Sequence, residues 1–343
     1  MMNRRGLLRP LHSLKKALGR GWGLLESELR RPSRRLNLCG LKQARDFSIK
    51  WPNHYGWTQG SKWVDTIRSG MQRYVAVTEG DLPQSSNTAI RFLLSHAGTE
   101  YPVIIDYSDN HQTVFEDRLA DCLLYFKMQF RKEGYGDPRI VPGQYVLCGG
   151  PNMYRCLPRL RRIRNDPARI QFGVCGRFGL YSDQDIASGS PSWQERKSAV
   201  RSVRANAISA LEIQERFCYQ GGDKMLPLMP SLTEAATAKV CLDLPGRGPF
   251  CFRLVDYLSI GSCIVAYPHE TTFHPALVDG KHIAYCRPDL SDLVDLCQYY
   301  LTHDRERRDM IKASRDFFDT NLHKDCIAAY YLECLGTRLD GLP

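Results

Sequence analysis

The stretch from 238 to 268, AKVCLDLPGRGPFCFRLVDYLSIGSCIVAYP, constrains this chain more than any other part of it. A run of strand type, Val240 to Leu244, enters a turn of Pro245, Gly246, Arg247, Gly248 and Pro249. Phe250, Leu254 and Leu258 then recur at i, i+4 and i+8, the spacing of one buried helix face. Gly261 ends that helix, and Cys263 to Tyr267 reads as a second buried strand. Strand, glycine turn, helix and strand make a βαβ unit. Its right-handed crossover puts the first turn at the carboxyl edge of a parallel sheet.

Open α/β sheets bind ligands at that edge. A glycine turn feeding a helix N-terminus offers unpaired N–H groups and the positive end of the helix dipole, which suits phosphate. Arg247 and Arg253 bring two guanidinium groups to the same place. Spacing alone is equally that of a plain surface turn with solvated arginines.

The segment Arg253-Leu-Val-Asp-Tyr-Leu-Ser-Ile-Gly261-Ser, followed by CIVAY, resembles the donor-site helix of CAP10-like protein O-glycosyltransferases. Exostosin-like transferases carry a related pattern. The resemblance continues through Ser291-Asp-Leu-Val-Asp, His303-Asp-Arg-Glu, Phe317 to Leu322 and Tyr330-Tyr331, covering roughly 173–335. It implies a GT-B fold, two Rossmann-like α/β lobes with parallel sheets facing each other across a cleft, and sugar transfer from an activated donor, usually a nucleotide sugar. It further implies that Cys175-Gly176-Arg177, after the strand Ile170 to Val174, is the Gly-Arg turn whose arginine meets the donor diphosphate.

The rest of the second half alternates strands and helices, which argues for a parallel sheet. Helices are predicted over Trp193 to Leu211 and at about 292–301, 305–320 and 326–335. Phe217 to Tyr219 reads as a brief strand, and Ser231 with Glu234 as a capping box. In the first half, Tyr74 to Val77 and Val103 to Ile105 read as strands, and Asn87 to Ala97 as a helix with Ile90, Leu93 and Leu94 inward. Asp121 to Phe130 is a further strand or short helix around Lys127. The strand at Val103 runs into Asp106, Asp109 and His111. In the GT-B fold a general base belongs at such a strand end, so these three are the catalytic candidates, Asp109 first. The bland reading is that Asp106 and Asp109 cap a following helix. The aromatic stretch from Trp51 to Trp63 could be a docking loop.

These segments give an organisation of a basic arm over 1–60, an acceptor-side lobe over 61–153, a basic linker over 154–169 and a donor-binding lobe over 170–335. The linker is read as solvated, with cleft arginines as the sharper option. The arm is set apart by charge. Residues 1–60 hold 13 Lys and Arg against 3 Asp and Glu, whereas the rest of the 343-residue chain holds 34 of each. Residues 7–29 have amphipathic helical spacing, so the arm could touch an anionic membrane through residues 1–35, dock on the body, or simply be solvated. No apolar run is long enough to span a membrane, and the first residues lack a secretory h-region. The 13 cysteines are scattered, several within apolar runs (Cys122, Cys241, Cys263), which fits reduced thiols and a cytoplasmic protein.

Several motifs are incomplete. Gly246-Arg-Gly248 lacks the third glycine of a dinucleotide fingerprint, and no phosphate-binding P-loop is present. His269 and Glu270 begin a zinc-helix pattern, but Phe273 stands where the second histidine belongs. Asp183-Gln-Asp185 matches a metal-holding D-x-D but lies in a Gly/Ser-rich loop, where a solvated loop or helix cap is expected. Asp256 occupies the second acidic place of an E-x7-E pattern whose first place is Gly248. No cofactor or metal is therefore expected. The donor diphosphate is assigned to Arg177, Arg247 and Arg253, with Gly246 and Gly248 allowing close backbone approach and Asp256 either facing the nucleotide or simply solvating its helix; Lys224 and His269 are weaker cleft candidates. The partners are a nucleotide-sugar donor and a glycan or lipid-linked acceptor. A non-catalytic sugar-nucleotide binder or a basic-armed nucleic-acid binder is the alternative, although the neutral body carries no nucleic-acid motif.

Overall fold

The structure, a computed structural model, describes residues 46–57, 60–83, 86–170 and 172–342. The amphipathic segment at 7–29 and the membrane contact through 1–35 lie outside the described residues. Within them the chain forms two α/β lobes, as the sequence predicts.

The first lobe holds a six-stranded sheet of β1 (Ser48–Pro52), β2 (Ala76–Gly80), β3 (Ala89–His96), β4 (Thr99–Asp106), β5 (Leu124–Lys127) and β6 (Ile140–Pro142), in the order β2-β1-β3-β4-β5-β6. All pairings are parallel except those of β3, which runs against both β1 and β4. Strand β3 corrects the helix expected over 87–97. Ile90 and Leu94 fit either period, but Ala89, Ile90, Phe92 and Leu94 are the buried set, and pairing of Ile90 with Ile105 and Phe92 with Val103 fixes the extended form. Ala97 and Gly98, with φ of 50° and 81°, make the two-residue turn into β4. Strand β1 also belongs to this sheet, so residues 48–52 are not part of a separate arm.

The second lobe holds β7 (Phe172–Arg177), β8 (Tyr219–Gly222), β9 (Ala238–Asp243), β10 (Cys263–Ala266) and β11 (Ala284–Tyr285). Every pairing is parallel, in the order β11-β10-β9-β7-β8. This is a doubly wound order that reverses between β7 and β9, and such a switch point opens a crevice at the carboxyl ends. Its central strands β7, β9 and β10 are buried on both faces. Cys175, Cys241 and Ile264 join an apolar cluster shared with the first lobe, whereas Val174, Leu242 and Val265 join a second cluster.

The helices are α1 (Ser61–Met71), α2 (Glu116–Leu119), α3 (Met153–Arg164), α4 (Asp183–Ala187), α5 (Pro191–Ile213), α6 (Leu228–Thr237), α7 (Phe252–Ile260), α8 (Leu293–Thr302), α9 (Asp304–Phe317) and α10 (Lys324–Asp340). Helix α1 lies where an aromatic docking loop was one reading of 51–63. Helix α3 replaces the solvated linker expected over 154–169. Leu157, Leu160, Ile163 and Arg164 are buried on one side of it. Its arginines grip the C-terminal end of α7: Arg161 Nε donates to Ser259 O at 2.7 Å and Arg164 Nε to Gly261 O at 3.0 Å. Those carbonyls have no partner within the helix, and cations suit that end of the dipole. Gly261 closes α7 in the left-handed region at φ 81°, and Ser262 N–H bonds back to Tyr257 O.

One further correction is local. Helix α6 starts at Leu228 after Pro227, so Ser231 and Glu234 are inside it and form no capping box. Helix α10 returns to the first lobe, where Tyr331 stacks on Phe126 with ring centroids 3.7 Å apart. Asp183 and Asp185 sit in α4, where Asp185 closes a capping box with Ser182. Cys122, Cys241 and Cys263 are free and buried. No helix of the described residues is long and apolar enough to cross a membrane.

Candidate functional site

Strand β4 delivers Asp106 and the loop behind it. Asp106 is buried and accepts from Lys127 Nζ and Tyr125 Oη, both at 2.6 Å, and from Ser108 N–H at 2.8 Å. Lys127 is equally sealed from solvent and also bonds Ser108 Oγ at 2.9 Å. Burial pushes the Lys127 pKa down, and Asp106 opposes that push. Both oxygens of Asp106 are thus committed to holding the loop, which removes it as an available base.

The loop so held presents Asp109. With Ser108, Asn110 and Thr113 it lines one wall of a cavity of about 480 Å³, and Trp193, Lys197 and Arg247 of the second lobe line the other. Burial raises the Asp109 carboxyl above its ordinary value, with Arg247 and then Arg196 as the main opposing charges. His111 turns elsewhere: its Nε2 lies 2.9 Å from Glu270 of the second lobe, and burial lowers its pKa against the pull of Glu270.

Gly248 lies at the point where the lobes meet. A Cβ there would fall 1.9 Å from Gln129 Nε2 and 3.1 Å from Asp109 Oδ1, so only glycine allows this approach. Gln129 in turn fastens the lobes together. Its Nε2 donates to Tyr145 Oη at 2.7 Å and Phe250 O at 3.0 Å, and its Oε1 accepts from Phe250 N–H at 3.1 Å. Gly246 is as close-packed, a Cβ there falling 2.4 Å from Cys251 Sγ.

At the switch point, Arg204 joins the two strand-end loops by donating to Pro245 O after β9 and Gly179 O after β7. Arg253, at the start of α7, uses Nε and Nη2 to bond Asp243 Oδ1 at 3.2 Å and Leu244 O at 2.8 Å, and lies 4.7 Å above the Phe178 ring. Burial works against its charge, but Asp243, with Cys251 and Tyr257 behind it, holds the guanidinium above its usual value. Asp243 Oδ2 meets His269 Nε2 at 3.2 Å, and His269 Nδ1 meets Tyr285 Oη at 3.0 Å. Asp243, Gln129, Arg204 and Trp193 escape the sequence reading. Asp243 is the one acid in a run read as apolar, and Gln129 follows Lys127 at strand spacing; each was a visible signal of a buried polar group at a strand's carboxyl end.

Arg177 does not join this group as a free cation. Its Nε and Nη2 pair with Glu234 at 2.7 and 2.8 Å, and Nη1 bonds Gly221 O and Lys224 O. Asp256 faces the first lobe, accepting from Cys148 N–H at 3.1 Å. Burial lifts its pKa to about 7, against the pull of that N–H, Arg253 and Lys62. Among the described residues no group of three His, Cys, Asp or Glu is placed to hold a metal ion. A larger depression of about 770 Å³, lined by residues such as Val278, Lys281 and Met310, includes none of these side chains.

No protein-family model matches the chain. A solved glycosyltransferase of Rickettsia africae superposes with a TM-score of 0.33 and 12% identity, over 60% of this chain and 58% of that one. The chain is 27% identical over 149 residues to protein O-glucosyltransferase 2 of zebrafish, covering 42% of this chain and 30% of that relative's length. The chain thus spans less than a third of the length of that curated relative.

Proposed function

We propose that the chain is a GT-B glycosyltransferase that moves a sugar from a nucleotide-diphosphate donor to a glycan or lipid-linked acceptor without a metal. The observation that carries this reading is the shared cavity, where Asp109 of one lobe and Arg247 of the other line a single space. Asp109 takes the proton of the acceptor hydroxyl as its oxygen attacks the anomeric carbon. The bond from that carbon to the phosphate oxygen breaks, and negative charge grows on the departing diphosphate. Arg247, Arg253 and the N–H groups at the start of α7 meet that charge, as groups fixed in place stabilise a transition state best. Arginine suits the role because it stays charged and binds phosphate through two N–H groups. Arg177, committed to Glu234, acts on the donor only by fixing the end of β7. Asp256, on the face of α7 toward the first lobe, supports the site by holding Cys148 N–H.

The test is thermal shift with uridine, guanosine and cytidine diphosphates on the parent, Arg247→Ala and Arg253→Ala. Arg247 is exposed, so its loss leaves packing intact; Arg253 is the deeper group. One nucleotide class should stabilise the parent and lose most of its effect in both variants. Equal shifts in all three proteins would remove the diphosphate assignment.

A further inference from the structure

The wall of the 480 Å³ cavity has a chemistry that the transfer step does not use. Trp193, in the first turn of α5, and Phe115, just before α2, bring an aromatic ring from each lobe. Between them the wall carries Ser108, Asn110 and Thr113. Asn110 Nδ2 donates one N–H to Thr113 Oγ1 at 2.9 Å, and Ser108 Oγ accepts from Lys127 at 2.9 Å. This orients the rim and leaves the second amide N–H and the Thr113 hydroxyl hydrogen for a ligand. We propose that this cavity is the acceptor subsite and that it takes a neutral sugar ring packed against Trp193, an assignment that rests on the glycosyltransferase reading above.

The charge pattern supports a neutral ligand. Lys197 also lines the cavity, but its ammonium has three N–H donors and three acceptors: Asp185 O, Ser188 O at 2.7 Å and Ser188 Oγ at 2.8 Å. It has no donor left for an anionic ligand. The other charges in the wall, Asp109 and Arg247, are opposite in sign and belong to the reaction. A sugar ring has an apolar C–H face and a hydroxyl rim, so it suits an aromatic surface edged by hydroxyl and amide groups. An extended peptide has different needs, since its row of N–H and C=O groups binds best along a strand edge. Every residue lining this cavity lies outside the strands. Trp193 and Asp109 face the same space from different lobes, so a ring held on one presents its hydroxyl toward the other.

The experiment uses the full chain on an array of neutral glycans, with Trp193→Ala and Trp193→Phe beside the parent, and saturation-transfer NMR with whichever glycan binds. At least one neutral glycan should bind the parent, bind Trp193→Ala about tenfold more weakly, and recover in part with Trp193→Phe. The nucleoside-diphosphate thermal shift serves as the folding control and should persist in both variants. The proposal is overturned if no neutral glycan binds, if Trp193→Ala binds as the parent does, or if Ser/Thr peptides bind in place of glycans. Loss of the nucleotide shift in the parent itself would instead defeat the glycosyltransferase reading; an intact shift without glycan binding defeats the subsite alone.

Discussion

Strands β4 and β9 end in the same construction and put it to different use. Each closes on a buried aspartate, Asp106 or Asp243, held by a cation from a neighbouring element. Just beyond each aspartate a charged residue, Asp109 or Arg247, lines the shared cavity. In the first lobe the anchor is closed: Asp106 and Lys127 are both at 0% exposure and satisfy each other. In the second it stays open, since Arg253 retains 18% exposure while bonding Asp243. A closed anchor can only hold its loop, whereas an open one can also meet a ligand. The two anchoring aspartates thus serve different ends, and the exposure of the cation that holds each, not the aspartate itself, decides which.

The largest effect that tests this contrast is at Asp109. Asp109→Asn should reduce transfer about 10²–10⁴-fold, the usual share of a general base, measured as nucleotide release at saturating substrates. Its stability should move the other way. Burial raises the folded-state pKa of Asp109, so the folded chain keeps a proton that the unfolded chain has released, and stability falls as pH rises through that window. Asparagine removes that cost, so the variant should be at least as stable as the parent at neutral pH. The parent's activity should fall on the acid side with a limb above the ordinary carboxylate range. A variant that is both dead and unstable would make Asp109 a second Asp106.

Asp106→Asn should show the reverse pattern. It leaves Lys127 buried without its counter-charge, at a cost of about 3–5 kcal/mol in urea unfolding. Asp106 holds the Lys127 charge up against burial. Without it Lys127 can be kept buried only by losing its proton, so the deficit should shrink as pH rises. Adding Lys127→Met should recover much of the loss. If Asp106→Asn were stable and inactive, the base would be Asp106 and the comparison of the two strand ends would fail.

The second lobe was legible because its local signals agree. The glycine-closed α7, the parallel strands around it and the positions of Arg247 and Arg253 all follow from spacing within about thirty residues. The first lobe was less so, because its decisive contacts are long-range. Ile90 and Leu94 fit a helix or a strand until pairing with β4 chooses. The arginines of 154–169 read as solvated because charge without a visible acceptor looks exposed; their acceptors are backbone carbonyls of α7, about a hundred residues away. Arg177 was given to the phosphate through the resemblance of its Gly-Arg turn, and spacing could not show Glu234, its partner 57 residues away. Sequence placed the base candidates Asp106, Asp109 and His111 at and beyond the end of one strand, where β4 has them, but could not show that Lys127 and Glu270 engage two of them.

The smallest effect lies at Gln129, and it asks whether the two strand ends act as one unit. Gln129→Met removes the side-chain partners of both Phe250 N–H and Phe250 O, which together place the turn carrying Arg247 against Asp109. Leaving those buried groups unpaired costs roughly 1–3 kcal/mol each before relaxation. The rate should fall about tenfold, well short of the loss in Asp109→Asn. Gln129 also helps hold the carboxylate of Asp109, alongside Arg247, Arg196 and Lys127. Its loss should therefore move the acid limb of the rate profile to higher pH. A change confined to unfolding stability, with the limb unmoved, would mean that Gln129 fastens the lobes without tuning the base, and that the two strand ends meet at the cavity as independent parts.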